Sequence, residues 1–164
     1  MTRNREWGGD LQRMEILITG GAGFIGSHIL EQLNEMPDVD VVVFDNLSSG
    51  DRDHVPARME LVEGDVCDEE AVDAVFADHH FDAVVHLAAQ TMVPISVEQP
   101  VLDCQINLEG VLHVLEACRT HGVPHILFSS SAAVYGDNLN IPLEETERLV
   151  PTSPYGITKM TTEH

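Results

Sequence analysis

Glu15-Ile16-Leu17-Ile18-Thr19-Gly20-Gly21-Ala22-Gly23-Phe24-Ile25-Gly26 passes from an apolar run of strand length through a glycine turn into a helical segment, Phe24 to Glu35. Counted from Gly20 it reads Gly-x-x-Gly-x-x-Gly; counted from Gly21 it reads Gly-x-Gly-x-x-Gly. Glycines at this spacing permit a tight turn and let the backbone approach a pyrophosphate. The helix beyond the turn presents free N–H groups and a positive dipole end to that anion. No Gly-Lys-Ser/Thr is present after it, which excludes a phosphate-loop nucleotide triphosphatase.

Working outward, the next apolar run, Val39 to Phe44, ends in Asp45-Asn46-Leu47-Ser48-Ser49-Gly50. An acidic residue about 20 positions beyond the glycines can accept hydrogen bonds from the ribose hydroxyls of a dinucleotide. A carboxylate there repels a 2′-phosphate and no cation stands beside it, so NAD is favoured over NADP; as a lone feature, Asp45 also reads as a strand-end cap. The third run, Met59 to Val62, leads to Gly64-Asp65-Val66, placed where an adenine would reach. The alternative for Asp65 is a cap on the helix from Glu69 to Ala77. A fourth run, Ala83 to Leu87, ends in His86-Leu87-Ala88-Ala89-Gln90, whose alanines suit close approach by a cofactor. His86, on an apolar strand, reads as a core histidine.

A fifth run, His125 to Ser129, and a helix from Pro100 to Thr120 complete the alternation. Val101, Ile106, Leu108, Val111, Leu112, Leu115 and Cys118 form the apolar stripe expected of that helix. Strands that are nearly continuous apolar runs, alternating with helices, predict an α/β fold: a Rossmann-type doubly wound parallel sheet with helices on both faces. One domain is expected over residues 14–164, with residues 1–13 a disordered extension. The chain closes at His164 inside a helix opened by Ser153 and Pro154, so a fragment is expected, without the C-terminal substrate domain.

Composition narrows the partners. The 164 residues carry 28 Asp and Glu against 8 Lys and Arg, a formal charge of −20. Phosphate-backbone binding needs cations, so nucleic acid is excluded, as is an anionic membrane surface. The excess is read as adaptation to a salt-rich cytoplasm, with a merely acidic mesophilic protein as the alternative. The three cysteines are widely spaced and unpaired in pattern, which fits a reducing compartment, and the nine histidines show no metal spacing.

Tyr155-Gly156-Ile157-Thr158-Lys159 puts a phenol and an amine on one helix face at i, i+4. A free tyrosine titrates near 10, so acting as a base near neutrality requires its pKa to fall by ~3, about 4 kcal/mol. A neighbouring ammonium supplies much of that by stabilising the phenolate. Lys159 is the only lysine of the chain, which weakens the alternative of an ordinary surface pair. Ser129-Ser130-Ser131 ends the fifth run on the same sheet edge as the glycine turn; a hydroxyl there could bond a substrate oxygen, or simply close the strand.

Together these stretches resemble the extended short-chain dehydrogenase/reductase family, and within it the nucleotide-sugar 4-epimerases whose type member acts on UDP-glucose. The resemblance covers residues 15–164. It implies that Tyr155 is the general base, that Lys159 holds the nicotinamide ribose and that Ser131 binds the sugar 4-oxygen. It further implies an NAD site lined by Gly20, Gly23, Phe24, Ile25, Gly26, Asp45, Asn46, Leu47, Ser48, Ser49, Gly50, Asp65, Val66, Leu87, Ala88, Ala89, Gln90, Asn107, Ser129, Tyr155 and Lys159. In such epimerases hydride leaves C4 for NAD, the 4-keto sugar turns over, and hydride returns to its other face. A UDP-sugar is the favoured substrate, and the family's dimers form through the helices bearing Asn107 and Tyr155. The related dehydratases carry Asp-Glu where this chain has Ala132-Ala133, which speaks against loss of water. A reductase on the same scaffold, or an NAD-binding module without chemistry, stays open.

Overall fold

The computed structural model describes residues 13–164; apart from Arg13, the expected N-terminal extension lies outside the described residues. Five strands, β1 (Met14–Thr19), β2 (Val39–Asp45), β3 (Glu60–Glu63), β4 (Ala83–His86) and β5 (Ile126–Phe128), pair in parallel in the order β3-β2-β1-β4-β5. The order reverses between β1 and β4, and a crevice opens at the carboxyl ends of the strands where it does so.

Successive side chains along a strand point to opposite faces, so the apolar runs serve two cores. Leu17, Val42, Phe44 and Val84 pack against α2 (Glu69–Asp78) and α5 (Gly110–His121) through Val72, Val75, Phe76, Val114 and Ala117. Ile16, Ile18, Val41 and Val43 pack on the other side against Leu30 of α1 (Phe24–Asn34) and Met59. Each such side chain contributes roughly 1.5–3 kcal/mol of transfer free energy, which makes both faces of the central strands obligatory helix-docking surfaces. β5 lies at the edge, with Leu127 60% exposed.

Polar side chains terminate the helices. Asp68, not Asp65, caps α2 by accepting from the N–H groups of Glu70 and Ala71, each at 3.1 Å. The Arg58 guanidinium closes the other end of α1: it donates to the carbonyls of Leu33 and Met36, while Nε donates to Asn34 Oδ1 at 2.8 Å.

The segment expected as one helix from Pro100 is three pieces in continuous succession. These are α4 (Pro100–Cys104), a π turn over Gln105–Glu109, and α5. A π turn holds an extra residue and so rotates α5 about its axis relative to α4. The expected stripe therefore needs correction: Val111 and Cys118 are buried with Gly110, Val114 and Ala117, but Val101, Leu112 and Leu115 are exposed. A short helix, α3 (Val93–Glu98), precedes this unit. The last helix, α6 (Pro154–Thr162), starts as read, with Ser153 Oγ accepting from Gly156 N–H at 3.1 Å. Among the described residues no helix is long and apolar enough to cross a membrane.

Candidate functional site

A cleft of about 920 Å³ runs along the carboxyl ends of the strands. Its floor is the glycine turn: Gly20, Gly23, Phe24, Ile25 and Gly26 line it. Gly20 has φ +70°, and a Cβ on it would lie 2.5 Å from Ala88 N. A Cβ on Gly26 would lie 2.4 Å from the carbonyl oxygen of Gly21, so only glycine lets α1 seat against the turn. No side chain caps the start of α1, which leaves its first amides unclaimed by any side chain.

One end of the cleft belongs to the loops after β2 and β3. Asp45, Asn46, Ser48, Ser49, Gly64, Asp65 and Val66 line it. The Asp45 carboxylate fulfils its alternative reading, a cap at the end of β2. Oδ2 accepts from Ala22 N–H at 2.9 Å and Oδ1 from Leu47 N–H at 2.8 Å, so it braces the glycine turn. Each oxygen retains a lone pair for a ribose hydroxyl. Asp65 bonds Asn46 Nδ2 and the N–H of Cys67, at 2.8 and 2.9 Å. Burial pushes its carboxyl up, but the bonds from Cys67 and Asn46 outweigh that and hold it below the usual carboxylate range.

The opposite wall combines the loop after β4 with α6 and the serines after β5. Leu87, Ala88, Ala89, Gln90, Ser129, Ser131, Tyr155 and Lys159 all line the cleft, so the structure brings the phenol, the amine and the third serine to one space. Lys159 is 3% exposed; its Nζ donates to the Ser129 carbonyl at 3.1 Å and sits 4.5 Å from the centroid of the Phe128 ring. Burial pushes its ammonium down to about 8, against the pull of Asp103. Gly156 allows α6 this close: a Cβ there would lie 2.6 Å from the Ala133 carbonyl oxygen. Ser131 Oγ accepts from Ala133 N–H at 3.2 Å, starting the short turn Ala132–Tyr135. With one lone pair so used, its O–H remains free to donate into the cleft.

His86 is a core residue, as read. It is fully buried, its Nδ1 pairs with Thr19 Oγ1 at 2.9 Å, and burial and the nearby Lys159 charge push it down to about 4, leaving it neutral.

Three residues expected at the cofactor, Leu47, Gly50 and Asn107, are not among those lining the cleft. Leu47, at φ 57°, gives its N–H to Asp45. Gly50 packs on the glycine turn, where a Cβ would lie 2.8 Å from that of Ala22. Asn107 lies in the π turn and grips Gln90 from behind: Oδ1 accepts from the Gln90 N–H at 2.8 Å and Nδ2 donates to the Gln90 carbonyl at 2.9 Å. Conversely, Phe44, Gly64, Thr91, Met92, Ile95, Gln99, Leu102, Ile106 and Ser130 line the cleft without having been expected at the cofactor. Thr91 and Met92 continue the Gln90 loop and were within reach of the sequence. The four from Ile95 to Ile106 sit on α3, α4, the residue joining them and the π turn, whose placement is tertiary.

The comparisons fit this geometry. A UDP-glucose 4-epimerase of Azospirillum brasilense is 43% identical over 148 residues, which are 90% of this chain and 42% of that protein. The crystal structure of the Thermus thermophilus UDP-glucose 4-epimerase in complex with NAD superposes with a TM-score of 0.87 at 44% identity, covering 92% of this chain and 49% of that one. The Thermotoga maritima enzyme with UDP-glucose gives the same TM-score, identity and coverage. The chain therefore spans less than half the length of these relatives. The model of the NAD dependent epimerase/dehydratase family matches residues 16–164, and with the doubly wound sheet and its glycine turn this establishes that the chain belongs to that family.

Proposed function

We propose that this chain is the NAD-holding part of a nucleotide-sugar 4-epimerase of the UDP-glucose type. The observation that carries the reading is the convergence of Ser131, Tyr155 and Lys159 on one cleft with the glycine turn and Asp45. The cleft fits a dinucleotide: Gly20 leaves no room for a side chain, the first amides of α1 are uncapped, and Asp45 keeps acceptor capacity beyond its two backbone bonds. Bound NAD supplies reversible hydride acceptance at the sugar C4. The chain's own residues handle the proton and the positioning. Tyr155 takes the proton of the 4-hydroxyl, Ser131 donates to the same oxygen, and Lys159 holds the nicotinamide ribose. With Lys159 at about 8, most of the ammonium is retained at pH 7.

Relatives bearing UDP-glucose, or NAD together with UDP, support a UDP-sugar as substrate. Ala132 and Ala133 place no carboxyl on the turn beside Ser131, which favours epimerisation over dehydration. The remaining assignments are a homodimer through the helices bearing Asn107 and Tyr155, a salt-rich cytoplasm, and a single NAD-binding domain over residues 14–164 that a further substrate domain completes.

Calorimetry with NAD and a turnover assay with UDP-glucose test the reading. The 164-residue chain binds NAD but interconverts UDP-glucose and UDP-galactose little or not at all. Extended to its relatives' length, the protein inverts C4 without net NADH, and Tyr155→Phe lowers that rate by ~10²-fold or more. Absence of NAD binding overturns the cofactor assignment; loss of water or stoichiometric NADH oxidation overturns the epimerase assignment.

A further inference from the structure

Asp103, on α4, has no exposed surface and does not line the cleft. Its carboxylate nevertheless collects donors from three separate elements. Oδ1 accepts from Gln90 Nε2 at 2.8 Å and from Asn107 Nδ2 at 3.2 Å; Oδ2 accepts from Thr158 Oγ1 at 2.8 Å. Gln90 belongs to the loop after β4, Asn107 to the π turn, and Thr158 to α6, between Tyr155 and Lys159. Removing a carboxylate from water is costly, and only charge-assisted bonds of this kind offset it. An apolar residue would fill the same space without that cost, so the anion is there for what it holds.

We propose that Asp103 is the positioning residue of the site, a single buried anion that ties the Gln90 wall of the cleft to α6 and so sets Tyr155 and Lys159 against the cofactor space. The proposal rests on the reading of the cleft as an NAD site. Gln90 is fixed at every polar group: Asn107 holds its backbone N–H and carbonyl, Met92 N–H donates to Oε1, and Nε2 reaches Asp103. Thr158 carries one hydroxyl proton, and the carboxylate at 2.8 Å is a stronger acceptor than the Tyr155 carbonyl at 3.0 Å. The tether therefore runs through Asp103 rather than within the helix. The titratable groups on the elements around Lys159 are Asp103 on α4, His86 on β4, Tyr155 one turn back on α6, and Glu163 at the end of α6, which accepts from Ser130 Oγ.

Because Lys159 is the chain's only lysine, selective isotope labelling of lysine gives one side-chain resonance, and its titration reads the site without cofactor. Asp103→Asn places an amide N–H₂ where donors already converge and removes the charge. In the cofactor-free chain the Lys159 midpoint falls below its wild-type position near 8, and NAD binding weakens about tenfold, the loss of one charge-assisted bond. Either quantity at its wild-type value overturns the proposal, even where the melting temperature drops, since lost packing alone would move only the latter. Where Asp103→Asn does not fold, Thr158→Val cuts the α6 tether alone; NAD binding several-fold weaker supports the proposal, and affinity within twofold of wild type overturns it. If the wild-type chain binds no NAD, the NAD reading fails by itself, and Thr158→Val, which keeps the Asp103 charge and cuts the tether, still decides: a shifted Lys159 midpoint in that variant supports the role of Asp103 and an unshifted one overturns it.

Discussion

Lys159 shows at the scale of one residue how a place in the cleft wall opposes stability. Its ammonium is buried beneath Phe128 and the Ser129 carbonyl, and burial lowers its pKa to about 8 from a free value of about 10.4. Below pH 8 both folded and unfolded chains hold the proton, and the fold bears the full cost of the buried charge. Between about 8 and 10.4 the unfolded chain binds more protons than the folded one, so stability rises with pH through that window. Lys159→Met should therefore stabilise the chain at pH 7 by about 1–2 kcal/mol, after allowing for the lost bond to Ser129. The gain should shrink as pH climbs past 8, while NAD binding weakens. Urea unfolding of both chains at pH 7 and pH 10 measures this; a variant less stable than wild type at pH 7 would show that the ammonium is a net stabiliser.

Among the elements, the strand–turn–helix from β1 to α1 is the one that tolerates least. Gly26→Ala drives a methyl to 2.4 Å from a backbone oxygen that cannot rotate away, so α1 has to lift from the turn. The expected cost is roughly 2–4 kcal/mol, with loss of NAD binding; equal urea midpoints for variant and wild type would contradict it. This element was legible in the sequence because its chemistry is local: glycine spacing, an apolar run, Asp45. So were the N-cap at Ser153 and the i, i+4 pair on α6. The π turn was not legible, since Val101 to Cys118 sustains a helical pattern that one extra residue per turn does not visibly break. Nor was α3, a helix of six residues with Pro94 near its start. Asp103 was hidden for another reason: its partners Gln90 and Thr158 are far from it in sequence, and a lone acid in a helical segment reads as solvated surface.

At the scale of the whole molecule the dominant quantity is the charge of −20. Few of the acids are neutralised: the Arg13–Asp40, Arg52–Glu63 and Arg119–Glu116 pairs are all well exposed, and such pairs contribute little. Self-repulsion then acts on the compact state, and molar salt shortens the Debye length to ~3 Å. The melting temperature should rise between 0.1 M and 2 M KCl, and equal values would leave an acidic but not salt-adapted protein. The scarcity of lysine that accompanies this charge has a practical consequence. An amine-directed ester offered to the folded chain meets no exposed ε-amino group, because the single one is buried in the cleft wall. Modification at that position, detected by mass spectrometry, would therefore count, one molecule at a time, the chains in which the cleft wall has opened.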